Sequence, residues 1–236
     1  MAEMNCAGKT TREINVAIKE LLEEGEVDLL VQEPAARHNL AVAILNQARI
    51  TFDNSVGYYC GAMIDGASIE IRGSAGWGLA ESMLNGTVVV QGNAGNGAAA
   101  SIRGGTVVIH GDAAARLGVA MKGGLILIAG DCGYMAGFMG QRGTMIICGD
   151  TGQAFADSMY ETTCFVGGEI SELGNDAVIE TPNSTDRNFL EVTLAEYLPE
   201  HLRKSPEEIK RFKKVVSGRK LWTFDKNERE VWREAL

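Results

Sequence analysis

Between Pro34 and Pro182 the chain contains no proline. Proline cannot donate to a β ladder and is confined to edge strands and bulges. Its absence leaves that whole span free to form stacked ladders. Other absences exclude classes of protein. No apolar run reaches the length of about 18 residues that a membrane helix needs. The first residues lack the basic-then-apolar pattern of a secretory leader. The five cysteines (Cys6, Cys60, Cys132, Cys148, Cys164) show neither a paired framework nor a Cys-x-x-Cys, so a reducing cytoplasm is the expected compartment. Basic charge is scarce: the net charge is −9 and the pI near 4.9, which argues against nucleic acid as a general partner. The three histidines, His38, His110 and His201, are far apart, and no serine or cysteine has a visible base partner.

What the chain does have is glycine in register. From Gly73 onward every nineteenth position is glycine: Gly92, Gly111, Gly130, Gly149 and Gly168 follow in turn. A second column, three positions later, holds Gly57, Gly76, Gly95, Gly133 and Gly152, with Ala114 in the one gap. A third holds only small residues: Gly61, Ala80, Ala99, Gly118, Gly137 and Ala156. Before each marker glycine stands a short β-prone triplet, from Ile69-Glu70-Ile71 through Val88-Val89-Val90 to Cys164-Phe165-Val166. Stepping back one period from Ile69 gives an earlier triplet, Ile50-Thr51-Phe52.

One strand and one glycine turn per period are too short for a βαβ unit or for a propeller blade of about 40 residues. A solenoid remains. The expected fold is all-β: a right-handed parallel β-helix of about seven 19-residue coils, which at about 4.8 Å per coil would span about 30 Å. The chain is organised as an N-terminal helix and cap (1–48), the β-helix (49–174) and a C-terminal extension (175–236).

Strand alternation sends the outer two residues of each triplet inward. The middle residue faces outward and reads Thr51, Glu70, Val89, Val108, Leu127, Ile146, Phe165. Val89 to Phe165 therefore form an apolar outer stripe, which either the chain's own terminal segment covers or a partner protein does.

In the cap, Thr10 and Glu13 make a capping box for a helix over residues 10–24 with Ile14, Ile18, Leu21 and Leu22 on one face. Glu26 to Gln32 reads as a strand, and 35–47 as either helix or strand. After Gly174 the chain looks irregular to residue 204, with a turn at Pro182-Asn183-Ser184. Ser205-Pro206-Glu207-Glu208 then opens a helix expected to run to about 217. The tail from 199 is net +4 on a body of −13, and Trp222 and Trp232 in its aromatic cluster are expected to be buried, against the solenoid or a partner.

Candidate chemistry is thin. Gly92-Asn93-Ala94-Gly95-Asn96-Gly97 looks like a nucleotide loop, but no helix follows it, and the same glycines recur in every coil. The column Asn93, Asp112, Asp131, Asp150, Glu169 is either a cation site or a set of side chains that satisfy turn N–H groups, the second being favoured. His110 is read as a variable strand-end position, and Cys148 and Cys164 as packing residues. Tyr58-Tyr59-Cys60 and Phe138-Met139-Gly140-Gln141 place bulky residues where other coils have small ones, and are read as core filling or interface; the alternative is an independent enzyme that uses the Asp112–Asp150 column or the Tyr-Tyr-Cys turn.

The chain resembles the glycine-rich β-helix domain that closes the large subunit of glutamate synthases, above all its stand-alone third-type versions. Formylmethanofuran dehydrogenase contains a solenoid chain of the same type. The words that carry the resemblance are Arg12-Glu13-Ile14-Asn15, Pro34-Ala35-Ala36-Arg37-His38, Val56-Gly57-Tyr58-Tyr59-Cys60, Phe138-Met139-Gly140-Gln141, Ser158-Met159-Tyr160-Glu161 and Leu173-Gly174. They span roughly residues 10–180.

The resemblance implies a non-catalytic subunit beside a class II amidotransferase-like chain and an FMN-binding synthase-like barrel, as in N-methylglutamate synthase. FMN, with an iron–sulfur cluster as a further candidate, would sit on a partner; no catalytic residue, cofactor or metal is expected on this chain. Gly73, Gly92, Gly111, Gly130, Gly149 and Gly168 are expected to be structural turns. Partner contacts are expected at Tyr58, Tyr59, Val89, Val108, Leu127, Phe138, Met139, Ile146, Phe165, Trp222 and Trp232.

Overall fold

The computed structural model describes residues 1–218, so the expectations for Trp222 and Trp232 lie outside the described residues. It is a β-solenoid whose strands join one eleven-stranded sheet. Strands β3 (Arg49–Phe52), β4 (Asp65–Ile71), β5 (Asn85–Val90), β6 (Thr106–Ile109), β7 (Lys122–Ile128), β8 (Arg142–Ile147) and β9 (Glu161–Val166) stack in parallel. The register follows the repeat: Ile50 pairs with Ile69, Ile69 with Val88, and so on to Met145 with Cys164. Both inward positions of every triplet, from Ile50 and Phe52 to Cys164 and Val166, are buried in one continuous core. A second line of parallel bridges runs from Val56 through Ala75, Ala94, Ala113, Cys132 and Thr151 to Ile170.

The ladder starts earlier than the glycines do. β1 (Ala2–Asn5) pairs in parallel with β2 (Asp28–Gln32), and β2 with β3. Helix α1 (Thr11–Glu23) connects β1 to β2; Thr10 and Glu13 close its capping box, and Ile14, Ile18 and Leu22 bury its apolar face. Residues 35–47 are neither helix nor strand. Asn39, Ala41 and Ala43 are left-handed (φ +57, +52, +53), as are Tyr59, Gly61 and Met63 one coil further on. An apolar run too short to show a period cannot reveal such a turn.

Each coil takes three left-handed residues in alternation, and the middle one is the small-residue column: Gly61, Ala80, Ala99, Gly118, Gly137 and Ala156, with φ between +54 and +76. Alanine tolerates this at some cost because only a methyl has to fit. The marker glycines are glycine for another reason. A Cβ on Gly111, Gly130, Gly149 or Gly168 would collide with the side-chain oxygen of Asn93, Asp112, Asp131 or Asp150 in the preceding coil.

The C-terminal extension departs most from expectation. Residues 177–180 form β10 (Ala177–Glu180), and Asn183 is the N-cap of α2 (Ser184–Tyr197), with Asp186 completing its capping box. The helix expected over 205–217 is one turn, α3 (Pro206–Ile209), followed by β11 (Lys213–Ser217). β11 pairs antiparallel with β9 and β10 and buries Val215, so the open end of the sheet supplies pairing that outweighs helix propensity.

α2 settles the outer stripe. Val108, Leu127, Ile146 and Phe165 are buried beneath Leu190, Leu194 and Leu198, with Ile209 and Phe212 beside them and Val89 at the margin. The expectation that Val89, Val108, Leu127, Ile146 and Phe165 meet a partner is corrected: the chain's own strap occupies that face. Thr51 is buried as well, where a solvent-facing residue was expected.

Candidate functional site

With the strand face covered, the exposed aromatic residues of the solenoid gather at its left-handed turn together with two methionines, while Leu45 and Leu84 are exposed as well. Tyr58, Tyr59, Met63, Trp77, Tyr134 and Met139 are each 37–52% exposed. Tyr58 lies between two other rings: His38 stacks on it at 4.2 Å between centroids and Trp77 at 5.2 Å. His38 Nδ1 accepts the Tyr58 N–H at 2.9 Å, which orients its ring. Glycine makes the stack possible, since a Cβ at Gly76 would meet the Tyr58 ring and one at Gly95 the Trp77 ring. The Tyr59 ring packs directly over Gly78.

Two shallow clefts flank this stack. One, of about 450 Å³, is walled by Trp77 and Tyr134, floored by Gly97, Ala100 and Ala115, and reached by Arg116 and Glu81. The other, of about 280 Å³, lies between Tyr59 and Met63 and shares Glu81. Phe138 is half-buried, and Met139 lines a separate cleft with Lys122, Gln141, Arg142, Tyr160 and Glu161. The turn face therefore carries both off-pattern words, but Tyr58-Tyr59 and Phe138-Met139 stand at different clefts. Trp77 and Tyr134 were missed. The signal was available, because both stand in the column of Tyr58, one period and four periods further along the chain.

The other candidates prove structural. Asn93 Oδ1 accepts the Asp112 N–H at 2.8 Å, Asp112 Oδ1 that of Asp131 at 2.9 Å, Asp131 Oδ1 that of Asp150 at 2.7 Å and Asp150 Oδ1 that of Glu169 at 2.7 Å. Ser55 and Ser74 start the same ladder through their hydroxyls. The acidic column thus serves turn N–H groups, and among the described residues no group of three or more His, Cys, Asp or Glu is placed to hold a metal ion.

All five cysteines are buried and free. Burial pushes the Cys132 and Cys148 thiols up to about 12 and raises Cys60 and Cys164 as well, which disfavours the thiolate a nucleophile needs. His110 sits under the end of α2; burial lowers its pKa, partly opposed by the Tyr197 backbone. No helix among the described residues is long and apolar enough to cross a membrane.

Fold and site together define a glycine-ladder β-solenoid with a helical strap on its strand face and an aromatic turn face left open. No family model matches the chain, and no curated protein does. Among solved structures it is similar to a chain of the formyltransferase/hydrolase complex (FhcABCD) from Methylorubrum extorquens in complex with methylofuran. Identity is 25% and the TM-score 0.66, over 81% of this chain and 73% of that one.

Proposed function

We propose that this chain is a scaffolding subunit of a multi-subunit enzyme assembly and docks its partners through the aromatic turn face. The observation that carries the reading is the division of the surface. The apolar strand face is closed by α2, whereas Tyr58, Tyr59, Trp77 and Tyr134 stay exposed on one turn face. Exposed, preorganised aromatics suit a protein interface, where tyrosine and tryptophan are enriched. The similar solved chain belongs to a complex, which supports the same reading.

Two assemblies are in view. The words around Tyr58-Tyr59-Cys60 and Phe138-Met139-Gly140-Gln141 favour a glutamate-synthase-like assembly, N-methylglutamate synthase in particular, with amidotransferase-like and FMN-barrel partners. The structural similarity favours one of formyltransferase/hydrolase type. Affinity purification of the tagged chain from its native source separates them. Recovery of a flavoprotein with an amidotransferase-like chain supports the first, and recovery of formyltransferase- and hydrolase-like chains the second. A chain that purifies alone under mild conditions overturns the scaffold reading.

A further inference from the structure

At one corner of the solenoid three cations follow one another in successive coils. Lys122 and Arg142 are direct partners across β7 and β8, and Gly123, next to Lys122, lies against the backbone of Arg103. Like charges placed opposite one another on neighbouring strands destabilise a sheet. The arrangement stands out on a chain of net charge −9. It is only partly relieved: Arg142 reaches Glu161 at 3.4 Å with both side chains well exposed, and Lys122 Nζ reaches the Ala120 carbonyl at 3.3 Å.

The same corner is concave. Lys122, Gln141, Arg142, Tyr160, Glu161 and Met139 line a cleft of about 460 Å³, within the size range of small-molecule sites. Among the described residues, neither the Gln141 side-chain amide nor the Tyr160 hydroxyl makes a hydrogen bond. Met139 forms one apolar wall from a left-handed backbone (φ +52), as Met63 does at the same position four coils earlier (φ +56), while Ser82, Ser101, Ala120 and Ser158 fill that position in the other coils. The cleft thus combines two cations, two unspent donors and an apolar wall.

We infer that this cleft binds a small organic anion, with its carboxylate or phosphate between Lys122 and Arg142 and its apolar part against Met139 and Tyr160. Gln141 and the Tyr160 hydroxyl supply neutral donors to the same group. Glu161 competes for Arg142 and sets how tightly the anion is held.

The test is an NMR titration of the isotope-labelled full chain with inorganic phosphate and, separately, with succinate, against sodium chloride at matched ionic strength. Saturable shifts at the Gln141 side-chain amide and the Lys122 and Arg142 backbone amides are expected with at least one of the two anions. A response to phosphate alone assigns a phosphoryl ligand, and one to succinate alone a carboxylate. Lys122→Gln combined with Arg142→Gln should weaken binding at least about tenfold without lowering the melting temperature, because the like-charge pair is gone. Glu161→Gln should tighten it by freeing Arg142. The inference is overturned by the lack of a saturable shift with either anion, by equal shifts with chloride, by binding that survives the double substitution, or by a Glu161→Gln variant that binds no better.

Discussion

Asp131 Oδ1 accepts the N–H of Asp150 at 2.7 Å, and the same oxygen fills the space that a Cβ on Gly149 would need. The acidic column and the glycine column are therefore one device. A carboxylate reaches up one coil to hold a turn, and the residue it passes must have no side chain. Repeated from Asn93 to Asp150, the contact keeps both columns at the same 19-residue period.

Gly149→Ala should therefore cost about 3 kcal/mol. Gly97, left-handed at φ +69 with nothing near its missing Cβ, should lose only about 1–2 kcal/mol as alanine, for the backbone alone. In an Asp131→Ala background the Gly149→Ala loss should shrink but not vanish, since the Gly130 backbone is also close. Urea denaturation of the parent, the two single variants and the double variant as a cycle measures this; additive losses would uncouple the two columns.

The strap over the strand face should behave as core. Leu194→Ala removes a side chain that is 1% exposed over the outer stripe and should cost about 2–5 kcal/mol. Val192→Ala on the same helix, 57% exposed, should change stability by less than about 0.5 kcal/mol. The Leu194→Ala protein should also bind a hydrophobic dye as the stripe opens. Equal stability of the two variants would mean that α2 is only loosely seated.

Acid should loosen the strap through Asp186. Its burial acts to raise the pKa, but the Asn183 N–H and the Lys214 ammonium, 3.1 Å away, outweigh that and hold the carboxyl below its ordinary range. A carboxylate whose folded pKa is depressed contributes stability that is complete above its unfolded pKa. The contribution is lost as pH falls through that value toward the folded one. Melting temperatures of the parent should therefore fall more steeply below about pH 4, the ordinary aspartate value. Asp186→Asn should lose that part of the slope while being less stable at neutral pH. An unchanged slope would remove Asp186 from the account.

Thiol chemistry gives a plain check of the core. With Cys6, Cys60, Cys132, Cys148 and Cys164 all buried and the last four raised by burial, a thiol reagent should label none of them in the native protein and all five in denaturant. Rapid native labelling of Cys60 would mean that the core opens at the Tyr-Tyr-Cys turn in the native protein.

For the turn face, Trp77→Ala and Tyr59→Ala should leave the melting temperature within a few degrees of the parent, because both rings are about half exposed. They should nevertheless sharply reduce recovery of partner chains from the native source. Full recovery with both variants would place the docking surface elsewhere.

Much of this was legible in particular columns. Ile69, Val88, Val107, Ile126, Met145 and Cys164 repeat at one period and pair in that register. Thr10 and Glu13 announced the helix they cap. Other parts were not legible for stated reasons. Asn39, Ala41 and Ala43 form a coil without a marker glycine, so the glycine repeat begins later than the ladder itself. Lys213–Ser217 is a strand because β9 offered a free edge, and a propensity-based reading of that segment does not contain the edge. Lys122 and Arg142 are a full coil apart in sequence, and their opposition emerges only once β7 and β8 are paired.

By itself the sequence determined the solenoid, its period, its inward core and the reading of the acidic column as turn support, because each depends on contacts between equivalent positions that recur once per coil. Only the tertiary structure decided which faces are closed. α2 comes from outside the repeat, so no periodicity could say that it lies over Val108 to Phe165, or that the aromatic turn face and the Lys122–Arg142 corner would stay exposed. Burial of one face by a distant segment is a nonlocal event, and it sets where this protein has surface left for binding.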